Sequence, residues 1–301
     1  MPNPVNSLAL FIFVLALGSV GCSKSAEEQF ELGVKCSTEA SVPEDYKEAV
    51  KWYRLAAEQG HAGAQLMLGV LHGHGRGVPE DDKEAVKWFL LAAEQGVPAA
   101  QFILGAAYAN GEGVPRNDEE AVKWYRLAAE QGHPDAQFSL GLSYADGEGV
   151  PEDHKEAVKW YRIAAEQWFL ASAQYNLGGA YANGNGVAKD DKEAVKWYRL
   201  AAEQGLPMAQ FNLGIMLHPG EGVPEDDLEA VKWFRLAAEQ GYAKAQFNLG
   251  MAHAKGTGVP KDDTEAVQWF RLAAEQRDAA AQDRLGSMYG LGLGVSRDDK
   301  E

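Results

Sequence analysis

The sequence predicts an all-α chain, a superhelical solenoid of helix-turn-helix repeats about 36 residues long. Two recurrences and one helix-boundary pattern carry that prediction. Glu-Ala-Val returns with its Glu at 48, 84, 120, 156, 193, 229 and 265, in steps of 36 residues with one step of 37. A second signature, Gln followed three and four residues on by Leu-Gly, starts at 29, 65, 101, 137, 174, 210, 246 and 282. Between the two signatures lies a glycine-rich stop, followed by an acidic helix start. Seven complete units and a truncated eighth result.

One unit, 97–132, shows how each element arises. Residues 99–109 place Phe102, Leu104, Ala106 and Tyr108 among small residues at helical spacing. Gly111-Glu-Gly-Val-Pro115 ends that helix, since glycine tolerates positive φ and proline cannot continue a helix. Asn117-Asp-Glu-Glu120 opens the second helix, as Asp81-Asp-Lys-Glu84 and Asp190-Asp-Lys-Glu193 do elsewhere. An Asp with Glu three residues on predicts a capping box. Ala121, Trp124, Tyr125 and Ala128 then fall at i, i+3, i+4 and i+7, giving an apolar stripe with a Trp in every repeat. Gln131-Gly132 closes the unit with a left-handed cap. A single hairpin cannot bury both its faces, whereas stacked neighbours can. Small residues such as Gly105 let the backbones approach.

The pattern Ala-Gln-Phe-x-Leu-Gly, Gly-x-Gly-Val-Pro, Glu-Ala-Val-Lys-Trp-Tyr-Arg-Leu-Ala-Ala-Glu-Gln-Gly closely resembles the Sel1-like repeat, a relative of the tetratricopeptide repeat. The resemblance runs from about residue 26 to the end. It implies a right-handed α/α solenoid whose first helices line a concave face, and a role as adaptor or scaffold for protein complexes. Local departures are Glu39 and Ser41 in place of loop glycines, and Ala188 and Ser296 in place of the loop proline.

The amino-terminal 22 residues differ in kind. Leu8 to Leu17 is an unbroken apolar run, followed by Gly18, Ser19, Gly21 and Cys22. This pattern resembles a secretory signal peptide and is short for a membrane span of about 20 residues. No Lys or Arg precedes the run. Gly21-Cys22 also resembles a bacterial lipoprotein signal, with Ser19 where that motif has Leu. Lipidation at Cys22, simple cleavage with release, and an uncleaved anchor all stay open. Each predicts an exported chain: periplasmic, membrane-tethered through lipid, or secreted. Residues 23–301 form the repeat array.

Composition removes several function classes. A net charge of −16 offers no excess of cations for phosphate, so nucleic acid is not an expected partner. The two cysteines, Cys22 and Cys36, give neither a disulfide framework nor a zinc cluster. Cys36 shares its register with His72, Tyr108, Tyr144, Tyr181, Leu217, His253 and Tyr289, so it is expected to pack as a small hydrophobe. His72-Gly-His74 is expected to be a solvated loop rather than a metal site. Gly-x-Gly-Val-Pro lacks the Lys-Ser/Thr of a phosphate loop and follows no strand. No nucleophile, base and orienting group stand apart from the repeat, so no catalytic residue, metal or cofactor is assigned. An envelope enzyme acting on peptidoglycan or β-lactams is thereby disfavoured, because relatives described that way carry cysteine pairs in their repeats. A receptor for envelope glycans is a second alternative to a protein or peptide scaffold.

Positions that vary among repeats are free to serve a partner. The residue before Leu-Gly is Met67, Ile103, Ser139, Asn176, Asn212, Asn248 or Arg284. The residue after it is Val70, Ala106, Leu142, Gly179, Ile215, Met251 or Ser287. If first helices line the concavity, these form two tracks, and Asn176, Asn212 and Asn248 could hold an extended peptide backbone. One turn is irregular: Glu166-Gln-Trp-Phe-Leu-Ala-Ser172 carries the extra residue of the 37 step. It places Trp168 and Phe169 between repeats, either tucked against a neighbouring helix or exposed as a binding hot spot. At the far end, Asp298-Asp-Lys-Glu301 starts a helix that is not built, so Leu291 and Leu293 are expected to be poorly covered, as in a piece of a longer array.

Overall fold

The computed structural model describes residues 24–39, 43–218, 220, 222 and 224–295. The leader with Cys22, as well as Ser41, Ser296 and Asp298 to Glu301, lies outside the described residues. Among the described residues there are fifteen helices and no strand. None of these helices is long and apolar enough to cross a membrane.

The chain divides into two compact units, Met1–Asn117 and Asp118–Glu301. The first holds α1 (Ala26–Thr38), α2 (Pro43–Glu58), α3 (Ala62–Gly73), α4 (Asp82–Glu94) and α5 (Pro98–Asn110). The second holds α6 (Asp118–Glu130), α7 (Pro134–Asp146), α8 (His154–Gln167), α9 (Ala171–Asn183), α10 (Asp191–Glu203), α11 (Pro207–Leu217), α12 (Asp227–Glu239), α13 (Ala243–Lys255), α14 (Asp263–Glu275) and α15 (Ala279–Leu291). Within each unit every helix packs on the next one in the chain. Each unit is therefore a stack of helix pairs.

The second helices begin as their acidic starts predict, but with half of the expected cap. Asp81 accepts from Glu84 N at 3.0 Å, and Asp226 accepts from Glu229 N at 2.8 Å. The returning bond that completes a capping box is made by Glu28 to Ser25 N, at 2.9 Å. Glu84 instead takes Lys87 at 2.7 Å, and Glu48 takes Lys51 at 2.8 Å. Lysine one turn on competes successfully for the carboxylate.

The stripe is rotated from its sequence-based assignment. On α6, Ala121, Val122, Tyr125, Ala128 and Ala129 are buried, while Trp124 is only half-buried. The Tyr or Phe after each Trp is the core residue. It leans on the aromatic of the preceding first helix: Phe138 with Tyr161 at 5.9 Å, Tyr175 with Tyr198 at 5.7 Å, and Phe247 with Phe270 at 5.7 Å between centroids. Tilted pairs of this kind add to simple area burial. The first helix is correspondingly thin where the ring lies. A Cβ on Gly178 would sit 2.8 Å from Tyr198 Cδ1, so glycine is required there.

On the first helix of unit 97–132, Ala100, Gln101, Leu104, Gly105 and Ala107 are buried, while Phe102, Ala106 and Tyr108 are only partly covered. The recurrent Gln is thus a core residue from Gln29 to Gln246, and the regular repeats explain why. Gln65 Nε2 donates to the Ala57 carbonyl at 3.2 Å, and Gln65 Oε1 accepts from Gln95 Nε2 at 2.6 Å. Gln210 does the same with Ala202 O (3.2 Å) and Gln240 (2.9 Å). One side chain thereby satisfies a helix-end carbonyl and ties two repeats together.

A second recurring contact shows what a substitution does. Arg126 donates to the Tyr144 hydroxyl at 2.7 Å, and Arg162 donates to Tyr181 at 2.6 Å. Where the tyrosine is replaced by Leu217, Arg199 turns instead to Glu229 of the following repeat and binds it with both amino nitrogens. Cys36 packs against the Tyr53 cluster, as expected. His72 departs from expectation: it is buried on α3, not solvated in a loop, with neither ring nitrogen hydrogen-bonded. His74 follows the helix, and its ring lies 2.9 Å from Val70 O. At the end of α15, Leu291 is 74% exposed, as expected.

Candidate functional site

The variable first-helix positions line hollows in both units. In the second unit a hollow of about 380 Å³ opens around Gly179 on α9. Its cause is local. The equivalent residues, Leu142 and Ile215, carry side chains, whereas a Cβ on Gly179 would meet only Tyr198 Oη, at 3.5 Å. The vacated space is bounded by Tyr161, Tyr175 and Tyr198, with Leu142 beside it. Four amides face it: Asn176 and Asn183 from α9, Asn185 from the following loop, and Asn212 from α11. Asp146 and His154 complete the polar rim.

Asn176 and Asn212 are thus brought to one hollow, as their register implied. Asn212 is partly occupied, since Nδ2 donates to Tyr175 Oη at 3.4 Å. Burial pushes the Tyr198 hydroxyl up to about 12, with the Asn212 hydrogen bond pulling the other way. Burial raises the Tyr161 hydroxyl as well. Both phenols therefore stay protonated at neutral pH and can donate. The site offers amides and hydroxyls that can both give and take hydrogen bonds, which suits a peptide backbone. It offers no activated nucleophile.

Asn248 belongs to a different and smaller hollow of about 160 Å³, floored by Phe234, Phe247 and Met251, with Ile215 at its side. Asn248 thus does not line the Gly179 hollow. In the first unit, Ile103 lines a largely apolar hollow with Val70, Ala106 and Phe102. Met67 packs against the Tyr53 cluster, Ser139 is half-buried on α7, and Arg284 is exposed on α15. Near Asn248, ligand atoms of His218, Glu225 and Asp227 lie within 4.8 Å of one another. They are at the surface, and His218 Nδ1 is already 2.5 Å from Asp227 Oδ1.

Sequence reasoning noted Gly179 as a variable position but not as the residue that makes the hollow. Asn183 and Asn185 were missed. Their signal was present in the loop, where Asn183-Gly-Asn-Gly186 carries two amides and no equivalent loop carries more than one, Asn110. Trp168 is neither buried nor fully free: it is 50% exposed, with its ring edge 4.0 Å from where a Cβ on Gly132 would be. Phe169 is 67% exposed.

The Sel1 repeat model matches eight consecutive segments, 29–61, 62–97, 98–133, 134–167, 171–206, 207–242, 243–278 and 279–301. A protective antigen of uropathogenic Escherichia coli strains, described as displaying an SLR fold, is 38% identical, with a TM-score of 0.85. The match covers 92% of this chain but 60% of the antigen, so the chain spans less than two thirds of that protein. A Sel1 repeat protein from Oxalobacter formigenes is also 38% identical, with a TM-score of 0.72, covering 90% of this chain and 78% of that one. None of the curated proteins compared with the chain matches it. The repeat signature, the stacked helix pairs and the family match agree, and the chain belongs to the Sel1 repeat family.

Proposed function

We propose that the chain is a non-catalytic interaction scaffold that holds an extended segment of a protein partner across α9 and α11. The observation that carries this reading is the hollow at Gly179, about 380 Å³ against about 260 and 160 Å³ for the equivalent hollows at Ala106 and Met251, on which four asparagine amides and protonated tyrosines converge. A peptide backbone alternates donors and acceptors, and an amide answers both. The repeat family generally works through protein interaction, which supports the choice over a glycan receptor. The apolar run Leu8 to Leu17 supports an exported scaffold, and Gly21-Cys22 supports a lipid tether at Cys22.

The test is a cross-linking pull-down from intact cells with the full chain and a carboxy-terminal tag, compared with Gly179→Leu and with Asn176→Ala/Asn212→Ala. A protein recovered with the parent chain and lost from both variants supports the scaffold. The same proteins recovered throughout would remove the Gly179 hollow as the binding site. Retention of purified glycan strands by the parent chain, with no protein partner, would turn the reading to the glycan receptor.

A further inference from the structure

The turn between α8 and α9 departs from every regular turn in three ways at once. It has one residue more, Trp168-Phe169 standing where other repeats have a single glycine. Phe169 has φ +52, a left-handed conformation that an aromatic residue adopts only under constraint. The third departure is one repeat away. Gln137 is 3% exposed and donates to Ala129 O at 3.2 Å, but its Oε1 has no hydrogen-bond partner. In regular repeats that oxygen accepts from the glutamine 30 residues on, as Gln174 does from Gln204 at 2.7 Å. The residue 30 positions after Gln137 is Gln167, which α8 retains as its last residue, so its amide is not delivered.

The turn at Arg277 is a built-in control. It also lacks glycine and has φ +67, yet Gln276 still reaches Gln246 at 2.8 Å. Loss of glycine alone does not break the bridge; the inserted residue does.

A buried acceptor without a donor and a strained aromatic are each unfavourable. Here they coincide with two exposed aromatic side chains, whereas the apolar residues of other such turns, Val97, Leu206 and Tyr242, are partly buried. Two carboxylates stand close by along the chain, one of which, Glu166, also lies 3.9 Å from Arg162. Exposed Glu130 ends α6 two residues before Gly132, over which the Trp168 ring lies, and exposed Glu166 stands two residues before Trp168.

We propose that this turn is a second docking site, separate from the Gly179 hollow, for a polypeptide that presents an arginine side chain. The guanidinium stacks on the Trp168 indole beside the carboxylates of Glu130 and Glu166, and it donates to Gln137 Oε1 in place of the missing glutamine. Arginine fits all three demands. It has several donors on a long stem, it stacks on indole, and its charge complements the acidic edge. The route from outside to Gln137 Oε1 is the one a surface glutamine follows in the other repeats, so a long flexible side chain matches it. Phe169 supplies apolar contact to the neighbouring partner residue. Access to the buried oxygen requires the Trp168 ring to turn off Gly132 on binding.

The test uses a phage-displayed random dodecapeptide library panned on the full chain carrying Asn176→Ala and Asn212→Ala, which removes the groove amides. Selected sequences are then made as free peptides and their affinities measured. The expected result is enrichment of arginine next to an aromatic or aliphatic residue, with at least a tenfold loss of affinity when that arginine is replaced by alanine. A chain with the turn reset, Trp168→Gly with Phe169 deleted, is expected to bind at least tenfold more weakly while melting a few degrees higher, because Gln167 regains Gln137. Trp168→Ala, which keeps the turn length, is expected to weaken binding in the same direction. Absence of enriched peptides, enrichment without arginine, or binding unchanged in both variants would overturn the proposal. Self-association of the parent chain that the reset variant abolishes would also overturn it, because the occupant would be a second copy.

Discussion

Gln240 Nε2 donates to Gln210 Oε1 at 2.9 Å while Gln210 Nε2 donates to Ala202 O at 3.2 Å, so one buried amide joins the end of its own repeat to the end of the preceding one. Gln210→Leu keeps the volume and deletes both bonds, leaving a helix-end carbonyl without its donor. The expected loss is about 1–3 kcal/mol. Gln137→Leu should cost less by about 1 kcal/mol, because it removes an acceptor that is already unsatisfied. Hydrogen exchange of the amides flanking each site measures both locally, which suits an array that does not unfold in one step. Equal losses would contradict the broken bridge at Gln137.

Arg199 and Glu229 should titrate as a pair. The Arg199 guanidinium, hydrogen-bonded to Glu229, holds that carboxyl below its usual 4.5, more than burial raises it. A carboxyl lowered in the folded state stabilises above its unfolded pKa, and the contribution disappears as pH falls through the folded value. Glu229→Gln is therefore expected to cost about 0.5–1 kcal/mol at neutral pH, a modest figure because both side chains are about one-third exposed, and progressively less at an acid pH below the folded value. Urea unfolding at the two pH values gives the comparison. Carboxyl NMR should show Glu229 titrating higher in Arg199→Ala.

The fold was legible because every boundary signal recurs, and a feature repeated seven times can be aligned with itself. Side-chain roles within the repeat were less so. Trp124 and Tyr125 both satisfy a helical stripe, and only the position of the neighbouring first helix decides that the tyrosine is core. The recurrent Gln was legible only as a signature, because the partners of Gln65 lie 8 residues back and 30 ahead, outside any local window. The insertion at Trp168 was visible, but its consequence falls on Gln137, in the repeat before. Gly179 was seen to vary; that its missing side chain opens a hollow depends on Tyr198 across from it.

His72 should make the chain acid-sensitive. Burial lowers its pKa from 6.5, with Arg54 adding to that and Glu84 and Asp81 opposing it. Because the folded state resists protonation, stability is greatest above the unfolded value and falls as pH drops below about 6.5. His72→Phe removes the titration and two unpaired ring nitrogens, at a position where other repeats carry Tyr108 and Tyr144. The variant is expected to match or exceed the parent at pH 8 and to gain on it steadily toward pH 5. Thermal melts across that range show the divergence. Some slope remains in the variant, since burial also lowers His133 and His253. Parallel curves would mean that His72 binds protons equally in the folded and unfolded chains.

Two glycines in equivalent helices should respond in opposite directions to the same change. On α9, a Cβ at Gly178 would lie 2.8 Å from Tyr198 Cδ1 and 3.0 Å from Cε1. Tyr198 is buried against the stacked helices and cannot retreat without moving its partner Tyr175. Gly178→Ala is thus expected to destabilise by about 1–3 kcal/mol through overpacking, more than cancelling the helix propensity gained. On α15, Gly286 has nothing within 4 Å of its added Cβ, because no further second helix covers that face among the described residues. Gly286→Ala should stabilise by about 0.5–1 kcal/mol, the ordinary gain of alanine over glycine inside a helix. Local hydrogen exchange in α9 and α15 separates the two effects. A destabilising Gly286→Ala would show that another element packs on α15.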